Sequence, residues 1–338
     1  MTASQAIQAG ADQFLLDVND LVVHFPAGKK RSFVHAVDGV SFRVKRGTTF
    51  GIVGESGSGK STTAQAIMRL VPATSGQIVF QDRNIAELSG EPLREVRKHL
   101  QIVFQDPFSA LNPRRRAGDQ IREPLDLLRI GTSRNRDERV RRLLAEVGLP
   151  PQAADLFPHQ FSGGQRQRIC IARALAPEPD LIVCDEAVSA LDVAIQAQIL
   201  NLLKRLQRER GLTYIFISHD LGVMQQFCDE IAVMYLGKIV EQAPAASIFS
   251  EPRHPYTWSL ISAAAPPGPV RDSLKQRYLV KGDPPSPVDP PPGCRFAMRC
   301  PYAVEQCRTL LPQLDSVGAG HYVACYRTAE LSPLIFSP

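Results

Sequence analysis

The stretch Gly54-Glu55-Ser56-Gly57-Ser58-Gly59-Lys60-Ser61, followed by Thr62, decides how this chain folds. It fits the pattern G-x-x-x-x-G-K-[ST], in which glycines let the backbone curl until several N–H groups point at one place. The apolar run at 50–53 predicts a buried strand before it, and the apolar spacing over 62–70 predicts a helix after it. This order of strand, loop and helix predicts a phosphate-binding loop rather than a plain Gly-rich turn.

The polar groups of this loop suit a nucleotide. Lys60 would reach the β- and γ-phosphates, and the Ser61 hydroxyl would hold Mg²⁺. The helix that follows adds the partial positive charge of its N-terminus, which favours an anion at that place. We therefore expect residues 54–61 to hold a magnesium-bound nucleotide.

The composition is that of an ordinary globular protein. The 338 residues are 44% hydrophobic and 22% charged, with a net charge of +5. No apolar run approaches the ~20 residues of a membrane-spanning helix, and the first residues lack the pattern of a secretory signal. We expect a cytoplasmic protein that meets a membrane only through partners. The Arg-rich stretches 114–116 and 134–142 carry no interleaved aromatic residues, which favours solvated faces over a nucleic-acid site.

Strand and helix patterns alternate along the chain and predict an α/β fold with a mostly parallel sheet. Continuous apolar runs at 50–53, 181–184 and 213–217 indicate strands that helices cover on both faces, whereas 21–25 and 40–44 suit an antiparallel β subdomain. We expect four parts: a flexible N-terminus at 1–13, a nucleotide-binding domain at 14–250 with a helical subdomain at about 106–165, a Pro-rich connector at 251–293, and a Cys-containing extension at 294–338.

Two further motifs carry chemistry. Asp185 and Glu186 follow an apolar strand; Asp185 can support the Mg²⁺ shell, and Glu186 can polarise the water that attacks the γ-phosphate. An exposed acidic turn is the alternative. Ser162-Gly163-Gly164-Gln165 opens a predicted helix, whose first N–H groups would form a second anion site. An ordinary Ser-capped helix is the alternative there.

These motifs, together with Gln105, Asp192 and His219, resemble those of ATP-binding cassette (ABC) ATPases in type and in order over about 14–250. The resemblance implies that two cassettes close head to tail, so that ATP on one loop meets Ser162–Gln165 of the other subunit. It also implies that Gln105 senses Mg²⁺ and the γ-phosphate and relays closure to a membrane subunit. His219 would contact the γ-phosphate, and Asp192 would organise the dimer seam.

The resemblance also implies that Phe25 stacks on adenine, although packing in the core is an alternative for Phe25 and Phe33 is a rival. Two positions depart from the family pattern. Phe161 stands where Leu is commoner, and Ala187 follows Glu186 where Pro is usual. Neither departure removes a catalytic group, so we expect a working ATP hydrolysis site.

The predicted site therefore contains three classes of residue. The catalytic residues are Glu186, His219 and Gln105. The nucleotide-binding residues are Phe25, Gly54, Glu55, Ser56, Gly57, Ser58, Gly59, Lys60, Ser61, Thr62, Ser162, Gly163, Gly164, Gln165 and Asp192. The Mg²⁺ ligands are Ser61, Gln105 and Asp185.

A narrower resemblance is to the oligopeptide/dipeptide importer ATPases. It rests on residues 53–61, Phe104-Gln105-Asp106-Pro107, Ser189-Ala190-Leu191-Asp192-Val193, His254-Pro255-Tyr256-Thr257 and the Cys-containing tail. It is closest to the second of their two paired ATPase subunits. It implies peptide import, with a second homologous ABC ATPase, two transmembrane permease subunits and, indirectly, an extracytoplasmic solute-binding protein. It implies no nucleic-acid partner and a peripheral place on the cytoplasmic face of the inner membrane. Nickel, glutathione or sugar oligomers as solutes, and an ABC ATPase without a transport role, are the alternatives.

Four of the seven cysteines lie in the tail: Cys294, Cys300, Cys307 and Cys325. Structural zinc sites have tighter C-x₂₋₄-C pairs, so the spacing does not favour zinc. Four cysteines with a Cys-Pro pair among them suit an iron–sulfur cluster, and the resemblance implies a [4Fe–4S] cluster here. Free or disulfide-linked thiols are the third alternative. Because the tail has few apolar residues for a core, we expect metal ligation to tie it down.

Overall fold

The computed structural model describes residues 13–28, 32–264 and 282–331. The flexible N-terminus predicted for 1–13 therefore lies almost wholly outside the described residues, as do residues 265–281 of the predicted connector. Within the described residues, no helix combines the length and the apolar character needed to cross a membrane.

The structure contains twelve strands and eleven α-helices in the described residues. The strands are β1 (Phe14–Ala27), β2 (Ser32–Lys45), β3 (Thr49–Val53), β4 (Ser75–Phe80), β5 (Arg83–Asn84), β6 (Leu100–Val103), β7 (Leu181–Asp185), β8 (Thr213–Ser218), β9 (Glu230–Tyr235), β10 (Lys238–Pro244), β11 (Asp315–Gly318) and β12 (His321–Val323). The helices are α1 (Lys60–Ile67), α2 (Gly90–His99), α3 (Pro107–Ala110), α4 (Ala117–Leu127), α5 (Ser133–Glu146), α6 (Gly163–Leu175), α7 (Val193–Arg210), α8 (Leu221–Phe227), α9 (Ala245–Ser250), α10 (Pro255–Ala264) and α11 (Glu305–Thr309).

The chain divides into two compact units. Of the described residues, the first unit contains 13–15, 44–48 and 81–217, and the second contains 16–28, 32–43, 49–80, 218–264 and 282–331. The phosphate-binding loop belongs to the second unit, and Gln105, the 162–165 motif and Asp185-Glu186 belong to the first.

The first unit is built on a parallel sheet. Strands β6, β7 and β8 pair in parallel, with Leu100 opposite Leu181 and Leu181 opposite Thr213. Every residue of β7 and β8 is buried, which confirms the prediction that these apolar runs are covered on both faces. The stretch 106–165 holds α3, α4, α5, two short 3₁₀ turns and the first residues of α6, and no strand lies in it. Helix α6 packs against α4, α5 and α7.

Helix α7 shows how the sequence sets an element of this unit. Asp192 caps its N-terminus, because its carboxylate accepts the Ile195 N–H at 3.0 Å. Ile199, Leu202 and Leu206 are buried on one face. The helix ends at Gly211, whose φ of 68° is a left-handed conformation that glycine adopts without strain.

The second unit combines antiparallel and parallel pairing. Strands β1 and β4 are antiparallel, and β3 and β9 are parallel. Strand β10 continues this sheet antiparallel to β9, and β12 and then β11 add to it. The helix after the loop ends at Ile67 instead of reaching residue 70, because Arg69 has a φ of 53°. Helix α10 lies inside the stretch predicted as a connector.

Candidate nucleotide-binding site

Close approach of other backbone segments fixes the shape of the phosphate-binding loop. Strand β3 ends at Val53 and α1 begins at Lys60, with Gly59 at φ 105° between them. A Cβ on Gly59 would lie 2.2 Å from the Ala36 carbonyl oxygen, and one on Gly54 would lie 2.1 Å from that of Met234. These two positions have no room for a side chain, which is the physical reason for glycine at both.

Lys60 lies inside this loop. Its side chain is buried, and its Nζ donates to the carbonyl oxygens of Gly54 and Glu55, each at 2.8 Å. Ser61 and Thr62 follow in the first turn of α1 and are half-buried. A buried ammonium held by loop carbonyls supplies the positive charge that a polyphosphate requires. Phosphate binding by Lys60 stays a prediction made from the sequence.

Glu55 is held by residues far along the chain that the sequence did not single out for this site. Its N–H donates to the Tyr256 hydroxyl at 2.8 Å, and its carboxylate pairs with the Arg299 guanidinium at 2.8 Å. Tyr256 belongs to a motif used only for the family resemblance. Arg299 directly precedes Cys300, and only the cysteines of this tail carried a predicted role.

In the first unit, two predicted catalytic side chains come together. Gln105 Nε2 donates to Glu186 Oε2 at 2.8 Å. Glu186 has a φ of 48°, and its N–H donates to the Ile217 carbonyl at 3.0 Å. The neighbouring Asp185 ends β7 and is buried. A left-handed backbone at a charged residue is a strain that functional sites often contain.

The loop after Gln105 is fixed by a residue that the sequence analysis did not assign. The Asp106 carboxylate accepts the N–H groups of Phe108 and Ser109 and so caps α3. The backbone hydrogen bond from Phe108 holds the pKa of Asp106 below its ordinary value. Asx capping before a proline was a recognisable signal in Asp106-Pro107.

The 162–165 motif forms a complete capping box. Ser162 Oγ accepts the Gln165 N–H at 3.3 Å, and Gln165 Oε1 accepts the Ser162 N–H at 2.9 Å. Within one chain, residues 162–165 therefore form the Ser-capped helix that was the alternative to an anion site. The motif is compatible with an anion site too, since the first-turn N–H groups of α6 have no intrahelical acceptor.

The structure gives the positions of the remaining predicted nucleotide-binding residues, and their roles stay predictions. His219 is exposed directly after β8, and the next residue, Asp220, caps α8. Phe25 and Phe33 are 37% and 45% exposed, so both have free ring surface and neither is a core residue.

The four tail cysteines line one apolar pocket with Phe296 and other side chains. Burial raises the pKa of Cys294 to about 11 and that of Cys300 to about 12, and it raises the pKa of Cys325 as well. These thiols are therefore protonated at neutral pH.

The tail is tied down without a metal. Phe296 is buried with its ring 5.4 Å from that of Tyr235 and 5.4 Å from that of Tyr256, measured between centroids. His321 Nε2 lies 2.7 Å from the buried Glu241 carboxylate, and β12 pairs with β10. The expectation that ligation is needed was wrong, because the tail shares the core of the second unit instead of building its own.

Within the described residues, one group of three candidate metal-ligand atoms lies within 4.8 Å of one another: those of His24, His35 and Asp38. The guanidinium of Arg295 pairs with the other oxygen of Asp38. Burial alone would raise the pKa of Asp38, but Lys238, Arg295 and His24 outweigh it, and the pKa lies below its ordinary value. The charges of Lys238 and Arg295 already compensate the Asp38 carboxylate and oppose a metal ion there.

Comparison with known proteins identifies two families in the sequence. Residues 37–189 match the family model described as ABC transporter. Residues 240–307 match the one described as oligopeptide/dipeptide transporter, C-terminal region. The second match contains Tyr256, Arg299 and three of the four tail cysteines.

Relatives and solved structures agree with these matches. A peptide import ATP-binding protein of Brucella ovis is 48% identical over 93% of this chain and 98% of its own length. The oligopeptide transport ATP-binding protein AppF of Bacillus subtilis is 48% identical over 94% of this chain and 98% of its own length. The dimeric post-hydrolysis structure of an ATP-binding cassette with ADP and Pi has a TM-score of 0.61 and 29% identity, covering 68% of this chain and 98% of that one. The predicted P-loop ABC-type α/β fold is confirmed.

The predicted [4Fe–4S] cluster is wrong. The relatives that match this chain over most of its length are named for ATP binding and peptide transport, and the matches support those terms and no iron–sulfur centre. The structure supplies a physical reason, because packing in the core of the second unit already holds the tail.

Proposed function

We propose the function of this chain from one premise, that it belongs to the ABC transporter ATPase family: it binds and hydrolyses ATP to power the import of peptides. The chain is an ATPase whose cofactor is Mg²⁺. The main support for this proposal is that the phosphate-binding loop and the oligopeptide/dipeptide transporter C-terminal region occur in one chain. Relatives named for peptides favour this solute class over nickel, glutathione or sugar oligomers.

Each residue has a proposed step. The loop N–H groups and Lys60 bind the β- and γ-phosphates, while Ser61 and Asp185 hold Mg²⁺. A Mg²⁺ ion bound by these residues would neutralise charge on the transferred phosphoryl group. Glu186, oriented by the hydrogen bond from Gln105, polarises the attacking water. The N-terminus of α6 contacts the ATP bound by a partner cassette.

The partners follow from the same proposal. A second, homologous ABC ATPase completes the dimer, two permease subunits cross the membrane, and a solute-binding protein delivers the peptide on the far side. The chain then lies on the cytoplasmic face of the membrane. The dimeric state of the similar cassette with ADP and Pi supports the pairing.

A single substitution tests the hydrolytic role. Glu186→Gln should keep ATP binding and lower phosphate release about 10²- to 10⁴-fold, because the base is lost and the shape is kept. Phosphate release and ATP affinity are measured on the full chain with its membrane partners. Glu209→Gln, at an exposed glutamate of α7, is the matched control. Phosphate release by Glu186→Gln at the parent rate would refute the assignment, and reconstituted vesicles that take up no labelled peptide would refute peptide import.

A further inference from the structure

An arginine of the C-terminal extension reaches the phosphate-binding loop. The Arg299 side chain is only 10% exposed. Its Nη1 lies 2.8 Å from Glu55 Oε2, and its Nη2 lies 3.3 Å from Glu55 Oε1. This is a two-point pairing between a planar guanidinium and a carboxylate, which fixes direction as well as distance.

Two tyrosines complete the contact. The Tyr256 hydroxyl accepts the Glu55 N–H at 2.8 Å, so both the main chain and the side chain of this loop residue are held. The Tyr235 hydroxyl accepts from Arg299 Nη1 at 3.2 Å. The two tyrosine rings are 4.6 Å apart between centroids, and both are buried. Burial raises the pKa of Tyr235 and of Tyr256, so both hydroxyls keep their protons.

The charge of Glu55 gives this contact a consequence for the ligand. Glu55 is the second residue of the loop that binds a polyanion, and an unpaired carboxylate there would repel the phosphates. Arg299 cancels that charge from a partly desolvated position, where screening by water and salt is weaker than at the surface. Glu55 is therefore the loop residue whose negative charge needs a partner.

We propose that Arg299 is a positioning residue for nucleotide binding: the C-terminal extension neutralises Glu55 and holds the phosphate-binding loop in the shape that accepts Mg-ATP. This inference rests on the proposed function of the loop. It gives the extension a second task besides its own packing, since ATP affinity then depends on a residue more than 200 positions away in sequence. Tyr256 holds the main chain of Glu55 in the same arrangement.

The test is a charge cycle on the full chain, with the dissociation constant of fluorescent N-methylanthraniloyl-ATP as the readout. Arg299→Ala should raise the dissociation constant about tenfold or more, because it leaves Glu55 charged and unpaired. Glu55→Gln alone is measured as the reference for the double variant. The double variant should return to within about threefold of the parent, because the repelling charge is gone.

A purely structural role for Arg299 predicts the opposite for the double variant, which would then remain as weak as Arg299→Ala. Arg299→Lys keeps the charge but not the two-point geometry and should bind with intermediate affinity; this variant also serves if Arg299→Ala does not fold. Arg327→Ala is the matched control, an arginine of the same extension that pairs with Glu330. Circular dichroism and the melting temperature check folding.

The outcomes separate this inference from the proposed function. If the parent protein binds no N-methylanthraniloyl-ATP and Lys60→Ala does not differ from it, the nucleotide site itself is refuted. Parent protein that binds it, with Arg299→Ala of equal affinity, would overturn only the role of Arg299.

Discussion

Burial decides the charge of His254. The side chain is 1% exposed, and its Nδ1 accepts the Tyr256 N–H at 3.1 Å. Burial lowers the pKa of His254 to about 4, although the nearby Glu241 carboxylate opposes the shift. A neutral ring is thus part of the folded state, and a protonated ring is not.

This charge state predicts a pH dependence of stability. The unfolded chain takes up a proton at His254 near pH 6.5 and the folded chain only near pH 4, so the free energy of unfolding falls as the pH drops between these values. The full effect of this residue is about 3 kcal/mol. His254→Gln should reduce the slope of stability against pH over that interval, as measured by urea unfolding at a series of pH values. His159→Gln, at an exposed histidine, is the control, and equal slopes for His254→Gln and the parent would contradict the prediction.

Single residues also show what the sequence could and could not predict. Lys60, Asp185 and Glu186 stood in local patterns whose chemistry depends on a few adjacent residues. The pairing of Glu55 with Arg299 joins positions 244 apart, and no local pattern contains both. The spacing of the tail cysteines indicated a set of metal ligands, whereas the packing of Phe296 against Tyr235 and Tyr256, which holds the tail, depends on the folded chain.

Some helices and strands can likewise be predicted from the sequence, and others cannot. Strands β7 and β8 and helix α7 were predictable, because long apolar runs and helical spacing are strong signals. Strands β11 and β12 were not, because they are only four and three residues long and β11 is fully exposed. They exist because β10 offers an edge on which they pair. Tertiary context, not local propensity, makes them strands.

The attachment of β12 can be tested through the buried pair of His321 and Glu241. Glu241 is fully buried and also accepts the N–H groups of Arg253 and His254, at 2.6 and 3.0 Å. His321→Ala removes one partner of a buried carboxylate and should cost about 1–3 kcal/mol of stability. It should also speed hydrogen exchange across residues 315–323, because the strand then opens more readily.

The matched control for this prediction is on the same strand. Tyr322 is 39% exposed, so Tyr322→Ala should change the stability by less than about 0.5 kcal/mol. Equal effects of the two variants on stability and exchange would show that the buried pair does not anchor the strand.

For the whole molecule, the capping box of α6 raises the question of what its exposed N-terminus meets. Ser162 and Gln165 satisfy each other within one copy. The N–H groups of Gly163 and Gly164 and the helix dipole are left to favour an anion from outside. One sequence, folded as one chain, contains no information about the second copy that would bring this anion, so this part of the mechanism rests on the family.

Gly163 allows that part to be tested without disturbing the fold. A Cβ on Gly163 would meet Leu191 Cδ2 at an ordinary 3.6 Å, whereas one on Gly164 would lie 2.5 Å from Ile195 Cγ2. Gly163→Asp should therefore fold, and it should keep the ATP affinity of the parent's own phosphate-binding loop. It should nevertheless lower phosphate release more than about tenfold, because a carboxylate at the N-terminus of α6 repels the triphosphate that a partner cassette presents.

Gly163→Ala is the matched control for Gly163→Asp, since it adds the same Cβ without the charge and should keep most of the activity. The measurements are ATP affinity of the single chain, phosphate release with the membrane partners, and ATP-dependent dimerisation followed by light scattering. Loss of ATP affinity together with activity in Gly163→Asp would place the N-terminus of α6 beside the nucleotide of its own copy. Full activity in both variants would remove it from the mechanism, whereas loss of turnover and dimerisation alone requires an anion supplied by a second cassette.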